Sequence, residues 1–315
     1  MESPIQAQRI IVTGAAGFIG SHLTQALAGL GHSVLAIDCL LDASYSADIK
    51  RDNWNLLGEY SNVERLELDL RLHEVQEFLK GAETVYHLAA MPGLMKSWTD
   101  FKLYQDCNLL ATGNLLKGLD SATLKMFINI STSSVYGLNA IGDEETPLNP
   151  ISPYGVTKLA AENLVRAYCG AMSLPFNIVR PFSVYGPRQR PDMAFNILIK
   201  KINENQQIDI FGDGQASRSN TYVLDLVNGL VLLGDSNNIG ETYNLCGTEN
   251  FSIIEVVRLI EEVLGKKAQI SYKPARLGDQ LRTFGSSKKA EEHFGFIAQM
   301  NFKEGIRHQA EWQLR

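Results

Sequence analysis

The stretch VTGAAGFIGSHLTQAL, residues 12–27, decides the fold. It follows the apolar run RIIVT (9–13) and opens a helical pattern, with Gly14, Gly17 and Gly20 three residues apart. Glycines let a backbone turn tightly and come close to a pyrophosphate, whose charge then meets free N–H groups at the helix amino terminus. The spacing is tighter than the usual dinucleotide G-x-G-x-x-G, and by itself it fits a plain strand-to-helix turn equally well. Asp38 closes the next apolar run, SVLAID (33–38). A carboxylate there accepts hydrogen bonds from adenosine ribose hydroxyls and repels a 2′-phosphate, which favours NAD over NADP. Alone Asp38 reads as a cap; together with the glycine turn it predicts a bound dinucleotide.

Outward from that unit the same rhythm continues. VERLEL (63–68), ETVYHLA (83–89), KMFINI (125–130) and FNIVR (176–180) are short apolar or β-branched runs separated by helix-length segments. This predicts an α/β fold, a doubly wound parallel sheet with helices on both faces and ligands beyond the carboxyl ends of the strands. After about residue 181 the rhythm changes. PFSVYGPRQRP is rich in turn formers, QIDIFGDGQASRS reads as a strand entering a glycine-rich turn, and FSIIEVVRLIEEVLG (251–265) is a helical pattern after the short strand TYNLC. We expect a nucleotide-binding domain over 1–180, with some later segments returning to it, and a smaller, partly interleaved substrate domain over 181–315.

Composition limits the partners. A chain of 315 residues, 45% hydrophobic and 20% charged, can bury a sizeable core, and a net charge of −6 gives no attraction for nucleic acid polymers or anionic membranes. Cys39, Cys107, Cys169 and Cys246 form no C-x-x-C pair, so they suggest neither a metal site nor a redox motif but reduced thiols of a cytoplasmic protein. The opening MESPIQAQRIIVTG has too short an apolar run for a signal peptide or membrane span.

In SPYGVTKLAAENLVRAY, Tyr154 and Lys158 stand at i and i+4 of a helical pattern that follows Pro153. Such residues share a helix face, and an ammonium near a phenol favours phenolate, which makes Tyr154 usable as a general base. The same spacing occurs by chance on surface helices.

The glycine turn after the first run, HLAA (87–90) after the fourth, the hydroxyl run NISTSSVYG (129–137) after the fifth, and Tyr154-x-x-x-Lys158 together resemble the extended short-chain dehydrogenase/reductase family. The resemblance implies a Rossmann domain holding NAD, a nucleotide-sugar substrate, a homodimer built on helices such as 100–119 and 154–172, and a catalytic set of Thr132, Tyr154 and Lys158. It also implies that Tyr154 takes the sugar O4 proton while hydride leaves C4, that Thr132 holds the 4-hydroxyl, and that Lys158 holds the nicotinamide ribose. Asp69 would meet the adenine, Leu88, Ala89 and Ala90 would line the cofactor channel, and Phe18, Ile19, Leu70, Asn108, Ser131 and Pro181 would complete the cofactor contacts.

RPFSVYGPRQRPDMAFNILIKKI (180–202) is similar to a segment of UDP-glucuronate and UDP-glucose 4-epimerases, IDIFGDGQASR (208–218) to the part that holds uridine and diphosphate, and ARLGD (275–279) to a late Arg-x-x-Asp element. On that resemblance Arg218 and Arg276 are diphosphate ligands and Asp279 a ribose contact, with Met193, Phe211 and Gln215 also lining the substrate. Relatives that dehydrate or decarboxylate a sugar carry acids just after the catalytic threonine, where this chain has Ser133 and Ser134. Serine supplies neither a carboxylic acid nor a carboxylate, so elimination lacks its proton carrier and C4 inversion through a 4-keto sugar is favoured. Ser133, Ser134 and Ser183, with Arg190, are candidates to hold a 5-carboxylate, as in UDP-glucuronate to UDP-galacturonate epimerisation. Alternatively the serines only cap the strand end, and the sugar is UDP-glucose or UDP-N-acetylglucosamine. A decarboxylase or 4,6-dehydratase lacks its acids, and an idle NAD-binding scaffold would have no chemical reason to keep Thr132, Tyr154 and Lys158. Met95, and Ser219-Asn220 after Arg218, depart from the family pattern and put the sugar's identity in question.

Overall fold

A computed structural model describes residues 7–275 and 280–315. β1 (Arg9–Thr13) leads into α1 (Phe18–Gly29), β2 (Ser33–Asp38) into α2 (Ala47–Leu57), and β3 (Val63–Glu67) into the single turn α3 (Gln76–Leu79). β4 (Thr84–His87) precedes α4 (Phe101–Gln105), a π-helical turn (Asp106–Leu110) and α5 (Ala111–Lys117), which returns to β5 (Met126–Ile130). β6 (Asn139–Gly142) interrupts the alternation before the long α6 (Pro153–Met172) brings the chain to β7 (Phe176–Pro181). β8 (Val184–Tyr185), α7 (Ala194–Asn203), β9 (Gln207–Phe211), β10 (Ser217–Ser219), β11 (Thr221–Tyr222), α8 (Val223–Gly234) and β12 (Thr242–Leu245) follow. The chain ends with β13 (Asn250–Ser252), α9 (Ile253–Leu264), β14 (Gln269–Lys273), β15 (Arg282–Gly285), α10 (Lys288–Phe294) and α11 (Phe302–Gln313).

Two compact units emerge: residues 1–132, 152–180 and 230–243 form one, and 133–151, 181–229 and 244–315 the other. The first is organised on a seven-stranded sheet in the order β12-β7-β5-β4-β1-β2-β3. The pairs β2/β3, β1/β2, β1/β4, β4/β5 and β5/β7 are all parallel, as expected of a doubly wound Rossmann-type sheet. β4 and β5 are buried at every residue because helices cover both faces, whereas β3 at the edge is largely open. Ile11, Leu35, Val85 and Phe127 from the strands pack with Leu79, Leu115 and Val165 from the helices. The strand order reverses between β1 and β4, the switch point where such folds bind ligands. Register there places Thr13 of β1 opposite His87 of β4, and His87 opposite Asn129 of β5.

The resemblance implies one helix over 100–119, but the structure interrupts it with the π-helical turn. The cause is Asn108, which is 1% exposed and turned inward: its Oδ1 accepts from the Met91 N–H at 2.6 Å, and its Nδ2 donates to Thr157 Oγ1 at 3.0 Å. Holding that inward pull needs the extra backbone residue a π turn supplies.

The second unit contains a four-stranded sheet, β13-β10-β15-β6, and the pairs β9/β14 and β8/β11. Its core is aromatic: Phe302 packs 5.0 Å from Tyr185, 5.7 Å from Phe195 and 4.5 Å from Phe251, ring centre to ring centre. α9 starts on a reciprocal Ser252/Glu255 capping box and stops at Gly265, whose φ of +62° suits glycine. No helix among the described residues is long and apolar enough to cross a membrane.

Candidate active site

The glycine turn is built for close approach. Gly14 has φ +71°, and a Cβ on it would stand 2.7 Å from the Ala89 nitrogen, so the exits of β1 and β4 nearly touch. A Cβ on Gly20 would lie 2.1 Å from the Gly14 carbonyl oxygen. Gly17 caps α1 without any side-chain hydrogen bond, which leaves the first-turn N–H groups for an anion. Half-buried Ile19 and buried Phe18 continue the turn into the helix, where the Phe18 ring meets His22 edge-on. These features fit the pyrophosphate of a dinucleotide: bare backbone, no competing side chain, and a helix dipole behind it.

Asp38 lies beside that turn. Its Oδ2 accepts from the Ala16 N–H at 3.0 Å and its Oδ1 from the Leu40 N–H at 2.9 Å. Burial raises its pKa, against the Leu40 N–H and Lys50, which favour the carboxylate. Each oxygen keeps acceptor capacity for a ribose hydroxyl. Asp69 is gripped by Arg71, whose Nη2 lies 2.6 Å from Oδ2, and this pairing holds its carboxyl below the ordinary range. Leu70 is 5% exposed and packs in the core, while Leu88, Ala89 and Ala90 are half-buried at the exit of β4. Pro181, half-buried, ends β7.

His87 ties these exits together. Its Nδ1 is 2.8 Å from Thr13 Oγ1, and its Nε2 is 2.9 Å from Thr112 Oγ1. The Thr112 hydroxyl donates to the Asn108 carbonyl, so it must accept from Nε2–H; the Nδ1 side then accepts from Thr13, whose oxygen in turn accepts the Ala89 N–H. One neutral tautomer satisfies the whole chain. Burial and the nearby Lys158 push the imidazole pKa down to about 3, so it stays neutral.

The catalytic candidates stand on α6 and at the end of β5. Ser152 caps α6 by accepting the Gly155 N–H, and Pro153 supplies the first turn, which sets Tyr154 and Lys158 on one face. Tyr154 is half-buried and meets the ring of Tyr104 edge-on at 6.2 Å; Tyr104 is itself fixed by donating to the Pro92 and Gly93 carbonyls. Lys158 is 4% exposed, and its Nζ donates to the Ile130 carbonyl at 2.6 Å. Burial lowers its pKa to about 8, against the pull of Glu162. Ser131 and Thr132 follow Ile130 directly, so the lysine anchors on the strand end that carries the threonine.

Behind this face lies a cluster the sequence reading missed. Glu162 is fully buried: Oε1 accepts from Ser131 Oγ at 2.5 Å and Arg180 Nε at 3.0 Å, and Oε2 from Arg180 Nη2 at 2.7 Å and Arg166 Nη1 at 3.1 Å. Burial pushes the carboxyl up, but Arg180, Ser131 and Arg166 outweigh it and hold the pKa low. Tyr154, Lys158, Glu162 and Arg166 recur at every fourth residue, a stripe visible in the sequence.

In the second unit Ser133 and Ser134 open a 3-10 turn (Ser133–Tyr136). Ser133 is 5% exposed, and Gln280 Nε2 donates to its carbonyl and to that of Gly137 at 3.3 and 2.7 Å. Ser183 is half-buried between β7 and β8. Arg190 forms a two-pronged ion pair with Asp192, Nε to Oδ1 at 2.9 Å and Nη2 to Oδ2 at 3.0 Å. Met193 precedes α7, Phe211 ends β9, Gln215 is exposed in the next turn, and Arg218 is half-buried in β10. Arg276 and Asp279 lie outside the described residues. Ser219 and Asn220 are buried: the Ser219 N–H donates to Thr283 Oγ1, and Asn220 Nδ2 to the Arg218 carbonyl. In the first unit Met95 is exposed and Lys96 reaches the Ala43 carbonyl.

Comparison with known proteins agrees with this geometry. The solved UDP-glucuronic acid 4-epimerase of Bacillus cereus, in complex with UDP-glucuronic acid and NAD, superposes with a TM-score of 0.94 at 37% identity, covering 97% of this chain and 99% of that one. A Bacillus subtilis (strain 168) protein named as an uncharacterized UDP-glucose epimerase, YtcB, is 40% identical over 303 residues, 95% of each chain. The UDP-glucuronate 4-epimerase of Thermodesulfobacterium geofontis (strain OPF15) is 33% identical over 309 residues, 96% of this chain and 95% of that protein. Residues 10–246 match the model of the NAD dependent epimerase/dehydratase family. With its glycine turn, switch-point sheet and Tyr154/Lys158 helix, the chain belongs to that family, an NAD-dependent enzyme of the extended short-chain dehydrogenase/reductase type.

Proposed function

We propose that the protein inverts C4 of a UDP-sugar, with UDP-glucuronate and UDP-galacturonate as its substrate pair. The observation that carries this is the conjunction of Thr132, Tyr154 and Lys158 in the first unit with serine, not acid, at 133 and 134. Tyr154 takes the O4 proton as C4 is oxidised and returns it as C4 is reduced. Thr132 holds O4 by its hydroxyl. The Lys158 charge favours the phenolate and holds the nicotinamide ribose. NAD, when bound along the Gly14–Gly20 turn, supplies the acceptor and then the donor of the C4 hydride. Ser133, Ser134, Ser183 and Arg190 hold the 5-carboxylate, while Met193, Phe211, Gln215, Arg218, Arg276 and Asp279 receive the nucleotide.

Loss of carbon dioxide from the 4-keto acid needs the bond to the carboxyl carbon to line up with the π system of the C4 ketone, and hydroxyl donors that hold the carboxylate elsewhere oppose that alignment. The test is turnover of UDP-glucuronate, UDP-glucose and UDP-N-acetylglucosamine without added cofactor, followed by NMR. C4 epimers are expected, fastest from UDP-glucuronate; a UDP-pentose or an accumulating 4-keto sugar refutes the reading, and a preference for UDP-glucose moves the assignment to that sugar. The exposed Trp98, Phe101, Leu110 and Val156, on the helical runs 96–117 and α6, support a homodimer through those helices, to be checked by light scattering.

A further inference from the structure

The stripe on α6 continues past the residues that the proposed reaction uses. Glu162 has no exposed surface, yet four hydrogen bonds from three side chains converge on it: Ser131 Oγ from the end of β5, Arg180 from β7 with two nitrogens, and Arg166 from the next turn of α6. Arg166 is itself held by Thr242 Oγ1 at 2.8 Å. Burying an ion pair costs desolvation that its Coulomb attraction only offsets, and replacing the whole pair by apolar residues is often neutral, so stability alone is a weak reason to keep this carboxylate. This one is placed between two functional neighbours. Ser131 immediately precedes Thr132, and Lys158 lies one helical turn before Glu162 on the same face.

We propose that Glu162 is a positioning residue for the C4 chemistry: through Ser131 it fixes the strand end that aims Thr132, and along α6 it gives the buried Lys158 ammonium its counter-charge. This rests on the Thr132, Tyr154 and Lys158 reading above. Among the described residues Glu162 is the anion that acts on Lys158: α6 also carries Tyr154 and Arg166, β5 offers the Ile130 carbonyl, β4 the neutral His87, and β7 Arg180, which pairs with Glu162. Burial drives Lys158 toward its uncharged form, and Glu162 is the group that opposes it. The two arginines keep Glu162 ionised for that purpose. Uncharged, Lys158 would no longer favour the Tyr154 phenolate.

The test compares Glu162→Gln, which keeps the volume and an acceptor for Ser131, with Ser131→Ala, which keeps the charge and releases the strand end. For each purified protein, kcat and KM for the UDP-sugar that the wild type epimerises are measured from pH 6 to 10, with bound NAD content and thermal unfolding. Glu162→Gln is expected to move the alkaline limb of kcat down by about one pH unit, so that the rate falls about fivefold near pH 8 and about tenfold well above it, with KM changed less than about twofold. Ser131→Ala is expected to lower kcat about fivefold at all pH values with the limb in place. A folded, NAD-loaded Glu162→Gln with the wild-type limb overturns the proposal and leaves Glu162 a strut between α6 and β7. Should Glu162→Gln not fold, Ser131→Ala decides, and wild-type kcat in that variant overturns it. Tyr154→Phe is run alongside: normal turnover in it refutes the underlying triad, whereas its inactivity beside an unshifted Glu162→Gln profile refutes only the role of Glu162.

Discussion

Thr13 Oγ1 and His87 Nδ1 stand 2.8 Å apart, and that bond joins the exits of β1 and β4 at the point where the sheet order reverses. It explains why the glycine turn can be so tight. With the Ala89 N–H bound to the same Thr13 oxygen, the β4 exit is drawn toward Gly14 until no side chain fits between them.

Replacing His87 by Leu keeps the bulk and removes both ring bonds, leaving the Thr13 O–H without its acceptor and the Thr112 oxygen without its donor in a dry site. The expected cost is about 2–3 kcal/mol of stability. Because the strain falls on the cofactor turn, the variant should also lose NAD. Thermal unfolding and the NAD recovered per chain after gel filtration check both, and His87→Gln, which can still bond one threonine, should retain more of each.

Gly20→Ala tests the turn directly. Its Cβ would fall 2.1 Å from the Gly14 carbonyl oxygen, a backbone atom that cannot swing away. Overpacking of this kind costs about 1–3 kcal/mol. The purified variant should be less stable and free of bound NAD, whereas Gly29→Ala, where a Cβ meets nothing within 4 Å, should match the wild type.

Lys158 makes stability depend on alkaline pH. Burial lowers its folded pKa from 10.5 to about 8, so between those values the unfolded chain holds more protons and stability rises with pH. The contribution is complete above 10.5 and is lost as the pH falls through about 8. Relative to Lys158→Met, the wild type should therefore gain about 3 kcal/mol across that window. Urea unfolding of the two proteins at pH 7.5 and pH 10 reads the difference; equal pH dependence would mean that Lys158 is not held in a dry site.

The sheet was legible because its strands are covered on both faces: MFINI is buried at all five positions, and such runs announce themselves without alternation. Tyr154 and Lys158 were legible because a helix converts spacing into shared direction. The break at Asp106–Leu110 was not, since its cause is a side chain reaching partners 17 and 49 residues away. Glu162 stood in plain view on the same stripe, but its meaning depends on Arg180, a charge inside the strand FNIVR whose partner only the packing of α6 on β7 reveals. His87 was noticed as part of HLAA, while its role follows from two threonines far along the chain.

Arg190 is the charged member of the set proposed to hold the 5-carboxylate. Its guanidinium is 15% exposed and locked to Asp192 by two parallel bonds, so a substrate carboxylate would have to share or displace that partner. A planar guanidinium can do this, since it keeps further N–H donors beyond the two spent on Asp192. If Arg190 meets the 5-carboxylate, Arg190→Met removes a charge-assisted bond that a hydroxymethyl group never had. Such bonds contribute about 1.5–3 kcal/mol, so kcat/KM for UDP-glucuronate should fall tenfold or more while that for UDP-glucose stays within about twofold. Asp192→Asn should act in the opposite direction, freeing the guanidinium and raising the preference for UDP-glucuronate. Equal losses for both sugars in Arg190→Met would mean that the Arg190–Asp192 pair shapes its loop and that the serines alone face the sugar's C5 substituent.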